Sequence, residues 1–190
     1  MKTTSYAKFD AHKRYSRLNN TSLFALTSAS LLLIFISILN KFSSESCPVI
    51  TPILLELFSL VTAIIILVLS LVVAFASYAM KSERQLRFGN EIKSLSDNLT
   101  LIEDNDIDRI RKINDTYSLF RASFDNHHEF NYQRGRLERK KEEGGPLKDE
   151  DKVDDMKTVE YWAPITGYYL ISILSCFISI FLFFKFIQHA

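Results

Sequence analysis

The sequence predicts an all-α membrane protein: a transmembrane helical hairpin continuing into a cytoplasmic helical hairpin, plus a third, C-terminal transmembrane helix. Two observations carry this reading. The first is that the runs Ser22–Leu39, Leu57–Met80 and Ala163–Phe184 contain no Asp, Glu, Lys or Arg, and each has at least 18 residues. Charge-free apolar runs of that length read as membrane-crossing helices; at 1.5 Å per residue they reach about 27, 36 and 33 Å, against a hydrocarbon core of about 30 Å. The second is that the missing charge is gathered elsewhere, since 19 of the 22 acidic and 16 of the 23 basic residues lie between Lys81 and Glu160. This segregation argues against a soluble enzyme. Five Gly and four Pro in 190 residues exclude collagen and Pro/Gly-rich low complexity, and two Cys cannot build a disulfide scaffold.

Residues 1–21 form a basic cytoplasmic start, with Lys2, Lys8, Lys13, Arg14 and Arg17 against Asp10. The run that follows is too long for a signal-peptide core, lacks an A-x-A-like exit before Ser43 and is followed closely by a second long run, so it is read as retained. Glu45 close to Cys47 argues against lipid attachment there. Residues 22–80 make the transmembrane hairpin, its second helix opened by Thr51 as N-cap and Pro52 in the first turn. The loop Asn40–Pro52 holds a single base, Lys41, whereas Lys81, Arg84, Arg87 and Lys93 crowd the exit of the second run. Because Lys and Arg are retained on the cytoplasmic side, the N-terminus is expected inside and the C-terminus outside. Tyr161 and Trp162 fall where the third span (161–190 with its tail) meets the inner surface, a depth amphipathic rings favour. Cys47 and Cys176 lie at different depths and cannot bond each other; Cys47 is a free thiol or a cross-link to its copy in another subunit.

Between the spans the polar segment is patterned. Phe88, Ile92, Leu95, Leu99 and Ile102 are spaced 4, 3, 4, 3, so the second transmembrane helix is expected to run on unbroken as an amphipathic helix with one apolar seam. Glu103-Asp104-Asn105-Asp106 supplies capping residues, after which Ile110, Ile113, Tyr117, Phe120 and Phe124 resume the pattern. Residues 81–133 thus read as a helical hairpin whose two seams face each other. Arg109, Arg111, Lys112 and Arg121 give the second of these helices a basic polar face, read as solvated or lipid-facing in preference to a nucleotide site. Residues 134–160, mixed in charge around Gly144-Gly145-Pro146, read as a flexible tether.

Each span carries hydroxyls on one face: Thr27, Ser30 and Ser37; Ser59, Thr62, Ser70 and Ser77; Ser172, Ser175 and Ser179. In lipid such residues mark helix packing, and in an oligomer the same stripe can line a pore. The spans lack the midplane charges that pumps and coupled transporters need, Glu56 lying only at the outer boundary. His127-His128-Glu129 lacks the i, i+4 spacing of a zinc helix, and no nucleophile elbow or phosphate-cradling Gly loop is present. No catalytic residue, metal or cofactor is expected, and no direct nucleic-acid binding.

Some of these residues carry a resemblance. The basic, aromatic start Lys13-Arg14-Tyr15-Ser16-Arg17-Leu18, the tight hairpin, the helix from Lys81 and the stretch Asn126-His127-His128-Glu129-Phe130-Asn131-Tyr132 together resemble the SLATT family. These are two-transmembrane effector domains associated with SMODS nucleotidyltransferases and SLOG nucleotide sensors, and the match is to the branch with an added C-terminal helix. The resemblance covers nearly the whole chain. It implies Asp where Asn131 stands, so that position lacks a charge here. It also implies an effector of a bacterial anti-phage conflict system, multi-pass in the inner membrane. Such an effector oligomerises or opens on a cytoplasmic signal, a nucleotide second messenger or a co-encoded sensor or polymerase, and permeabilises the membrane. Under that reading Asn126, His127 and Tyr132 form a hinge or sensing contact; on local grounds alone Asn-His is a helix C-cap and Tyr132 packs back on the hairpin. The competing class is a non-pore scaffold that anchors a partner enzyme through the seam Phe88–Ile102.

Overall fold

The computed structural model describes residues 1–43, 52–102, 106–123, 129–144 and 155–189, and every element among them is a helix. In order these are α1 (Lys2–Ser43), α2 (Pro52–Ala76), α3 (Tyr78–Thr100), α4 (Ile107–Ser123), α5 (Glu129–Glu142) and α6 (Asp155–His189). Stretches of α1, α2 and α6 are long and apolar enough to cross a membrane. The chain divides into a polar unit, Met1–Ser16 with Ala79–Tyr161, and an apolar unit, Arg17–Tyr78 with Trp162–Ala190.

The apolar unit packs along seven-residue repeats. On α1 the seam Leu18, Ser22, Ala25, Ala29, Leu32, Ile36 and Leu39 is buried throughout. On α2 Leu55, Thr62 and Leu69 are buried, with Ser59, Ile66, Val73 and Ala76 half-buried between and beyond them. On α6 the seam is Ile165, Tyr168, Ser172, Ser175 and Leu182. Spacings of 3 and 4 keep one stripe of a helix facing its neighbours, as in coiled coils. Leu32, Ile36, Leu39, Leu55 and Leu182 close into one cluster with Phe35 and Ile178 against it.

The polar unit is organised by the start of α1, which runs antiparallel to α3. Ser5 Oγ donates to the Gly89 carbonyl at 3.0 Å, and seven residues further on Ser82 Oγ donates to the His12 carbonyl at 3.2 Å. Phe9 lies against Gly89, where a Cβ would stand 2.9 Å from its ring. Ile92, fully buried, sits one turn along the same face. Asp106 caps α4, its Oδ1 accepting from the Arg109 N–H at 3.2 Å. Two residues past the end of α5, Gly144 has a φ of +68°, which suits a residue without Cβ.

Four expectations are corrected. The second membrane helix does not run on unbroken: α2 and α3 are separated at Ser77, which has φ +49°. The buried face of α3 is Ser82, Gly89, Ile92 and Ser96, sharing only Ile92 with the predicted seam, and the start of α1, read from sequence as a basic tail, is helical and bonds to it. Residues 134–142 are not tether but part of α5, packed on α1. And α6 begins at Asp155, ahead of the predicted span, with Pro164 inside it.

Candidate functional site

The start of α1 buries charge where an ordinary amphipathic helix buries leucine. Lys8 and Asp10 are each 1% exposed. The Asp10 carboxylate stands 3.4 Å from Arg134 Nε of α5. The guanidinium of Arg134 lies 5.9 Å from the Phe130 ring centre and 5.6 Å from that of Tyr161, and these two rings stack at 4.8 Å. Arg14 approaches Tyr161 at 5.3 Å. Arg suits this position because a planar, weakly hydrated cation can stack on rings and still pair with a carboxylate. The backbones meet just as closely: a Cβ on Gly135 would fall 2.5 Å from the Ala7 nitrogen. Tyr161, in the second turn of α6, is thereby clasped to the start of α1 and to α5.

Beside this clasp two cavities share Arg139 and Glu143. One, about 340 Å³, is lined by Lys2, Ser5, Tyr6, Phe9, Lys93, Ser96, Asp97 and Glu142 as well; the other, about 250 Å³, by Thr3, Tyr132, Arg136 and Lys140. The smaller carries Arg136, Arg139 and Lys140 against Glu143, whereas the larger balances Lys2, Lys93 and Arg139 with Asp97, Glu142 and Glu143. Arg139 is held in place by donating to Glu143 Oε1 at 2.9 Å and to Thr3 Oγ1 at 3.0 Å. Burial, and then the positive charge of Arg139, hold the α-amino group of Met1 below its ordinary pKa. Aromatic and cationic walls of this kind suit a ligand with a planar ring and an anionic group.

The hydrogen bond from Arg139 holds the Glu143 carboxyl below the usual carboxylate range. A depressed pKa means the pair's contribution is present above the unfolded-state pKa of about 4.3 and is lost as pH falls through the lower, folded value. An NMR titration of Glu143 is expected to show a midpoint below that of a free Glu, moving up to it in Arg139→Gln.

Of the residues singled out in the sequence, Tyr132 is 45% exposed on the wall of the smaller cavity, while Asn126 and His127 lie outside the described residues, as does Cys47. Asn131 is buried, and its Oδ1 has no hydrogen-bond partner among the described residues; a neutral amide costs less to bury there than the carboxylate the resemblance implied. In the α3 seam only Ile92 is fully covered, with Phe88, Leu95, Leu99 and Ile102 half-buried. Phe88 is flanked by the charges of Lys8 and Arg84 at 6.0 and 5.5 Å. The hydroxyl stripes divide. Thr62, Ser172 and Ser175 are buried, Ser30, Ser59, Ser77 and Ser179 half-buried, and Thr27, Ser37 and Ser70 exposed. Thr27, Ser30, Ser37, Ser70, Ser77, Ser172, Ser175 and Ser179 donate to a carbonyl three or four residues back in their own helix. On α1 the buried seam uses Ser22, Ala25 and Ala29, small residues that the emphasis on hydroxyls passed over. The clasp was missed because Asp10, Arg14, Arg134 and Tyr161 come from three distant segments.

A bundle of three helices with long apolar runs, joined to a separately packed polar helical unit, defines a multi-span helical membrane protein. The sequence profile of the SMODS and SLOG-associating 2TM effector domain family 5 matches residues 1–185, and the chain belongs to that family. The match takes in nearly all of α6, so the third apolar helix lies within the family's domain. Neither a curated protein nor a solved structure matches the chain.

Proposed function

We propose that the protein is the membrane effector of a bacterial anti-phage conflict system, oligomeric in the inner membrane, with its N-terminus and polar unit in the cytoplasm and its C-terminus outside. A cytoplasmic signal, a nucleotide second messenger or a co-encoded sensor, acts on the polar unit, and the apolar unit then permeabilises the membrane. The observation that carries this reading is the coverage of α2. Only 11% of its most apolar stretch is buried within one chain, and Ile53 and Phe75 are 78% and 83% exposed, so most of its surface is left for lipid or for further copies. The absence of any charged side chain from the apolar runs supports a leak over coupled transport. The smaller cavity, with Arg136, Arg139 and Lys140 on its wall, gives a signal with an anionic group a place to act. The scaffold alternative would use the seam Phe88–Ile102; the chain itself covers Ile92, while Phe88, Leu95, Leu99 and Ile102 are half-buried.

Expression in bacteria from an inducible promoter, with and without the genomic neighbours, tests this with a voltage-sensitive dye. Depolarisation that depends on the neighbours' signal is the expected result. An intact potential in a triggered cell whose effector is folded and membrane-inserted overturns the reading.

A further inference from the structure

The smaller cavity lies wholly within the polar unit, between the first turn of α1 and one face of α5. Its α5 residues, Tyr132, Arg136, Arg139, Lys140 and Glu143, are spaced 4, 3, 1 and 3, which keeps them within about 100° of one another around the helix; Thr3 supplies the α1 side. Along the axis Arg136 stands about 6 Å from Tyr132, and Arg139 and Lys140 about 10–12 Å. An aromatic ring and three cations therefore share one row.

The charge on this wall selects among anions. Among the described residues it holds Arg136, Arg139 and Lys140 against Glu143, two positive charges in excess. A phosphate monoester brings a charge of about −1.5 to −2 at pH 7 and three acceptor oxygens, which meets that excess, whereas a carboxylate brings one charge and two oxygens. The cavity holds about 250 Å³, less than the roughly 300–1,000 Å³ of pockets that enclose a drug-sized ligand, so it has room for one ring and one phosphate. Tyr132, 45% exposed, offers a face on which a planar ring can stack. Arg139 already has an anion on it: its Nε donates to Glu143 Oε1 at 2.9 Å and its Nη1 to Thr3 Oγ1 at 3.0 Å. The Thr3 hydroxyl, an acceptor in that bond, keeps its own O–H to donate.

We infer that this cavity binds a small phosphate ester carrying one planar ring, the ring on Tyr132 and the phosphate on Arg136, Arg139 and Lys140, with Glu143 as a built-in competitor for Arg139. Binding rests on the cavity alone; that the ligand is the activating signal rests on the proposed function. An arriving phosphate either displaces the Glu143 carboxylate from Arg139 or binds beside it against like-charge repulsion, so Glu143 sets a threshold that only a doubly charged ligand overcomes.

The test uses the full chain in phosphatidylcholine nanodiscs and titration calorimetry, with adenosine 5′-monophosphate, ribose 5-phosphate, adenosine and inorganic phosphate as probes. Adenosine 5′-monophosphate is expected to bind tightest, with ribose 5-phosphate about tenfold weaker for want of the stacked ring. Tyr132→Ala is expected to weaken adenosine 5′-monophosphate by about tenfold and to leave ribose 5-phosphate unchanged, while Tyr132→Phe keeps both affinities. Arg136→Gln and Lys140→Gln, on different turns so that a folding defect in one does not decide the result, should each weaken both esters by about tenfold. Glu143→Gln should tighten both by about fivefold. No binding of adenosine 5′-monophosphate at millimolar concentration overturns the site, as do affinities untouched by both cation variants or adenosine binding as tightly as its phosphate. Weaker binding in Glu143→Gln overturns the competitor. Loss of ester binding when phosphatidylglycerol is added to the discs assigns the cations to lipid headgroups and overturns the soluble ligand. Ester binding in a protein that leaves the potential of triggered cells intact keeps the site and removes the proposed function, whereas depolarisation without ester binding does the reverse.

Discussion

Gly135→Ala is expected to detach α5 from the start of α1 and to cost about 3 kcal/mol or more. The added Cβ would meet the Ala7 nitrogen at 2.5 Å, its Cα at 2.9 Å and the Tyr6 carbonyl carbon at 3.0 Å, all backbone atoms of a helix that cannot rotate aside. The other glycines supply the comparison. At Gly89 the obstruction is the Phe9 ring at 2.9 Å, which can swing away, so the loss should be smaller; at Gly167 nothing lies within 4 Å, and Ala there should gain about 0.5–1 kcal/mol of helix stability. Tryptic cleavage at Arg136 and Arg139, together with hydrogen exchange over α5, reads the difference. Equal protection in Gly135→Ala and Gly167→Ala would refute the close contact.

The second large effect is expected at the Asp10–Arg134 pair. Removing one partner of a buried ion pair leaves the other uncompensated, at a cost of about 3–5 kcal/mol. Asp10→Ala should fall at the low end of that range, since the Arg134 side chain is 33% exposed and can recover some water, while Arg134→Ala takes the guanidinium from a carboxylate that is only 2% exposed. Arg134→Lys should rescue little. A lysine keeps the charge but loses the planar group that stacks on Phe130 and Tyr161. A double-mutant cycle in denaturant should return a coupling of about 1–3 kcal/mol, and a value near zero would place the pair among ordinary surface charges.

The three apolar helices were legible because membrane crossing demands many consecutive charge-free residues, a signal that needs no knowledge of partners. Ile92 was legible for a similar reason, lying in phase with Phe88, Leu95, Leu99 and Ile102. The start of α1 was not. Its buried residues Ser5, Ala7, Lys8, Asp10 and Ala11 show no apolar period, since what they offer a neighbour is close backbone approach and a paired charge. α5 was hidden by the same chemistry: its contact is made by Gly135 and Arg134 within a strongly charged sequence, and charge with Gly nearby reads as linker. The break at Ser77 carries no Gly or Pro to announce it. Of the candidate site, Tyr132 was named from the resemblance, whereas Arg139, Glu143 and Thr3 converge only through folding.

The seam of α1 is graded along its length, with Ser22, Ala25 and Ala29 in its first half and Leu32, Ile36 and Leu39 in its second. Small residues permit close approach of helix backbones, and large ones fill the space between them with apolar volume. On α1 that volume is concentrated in the second half, where Leu55 and Leu182 complete the cluster. Separating the helices there would expose five buried side chains at once, whereas Ser22, Ala25 and Ala29 have little apolar volume to expose.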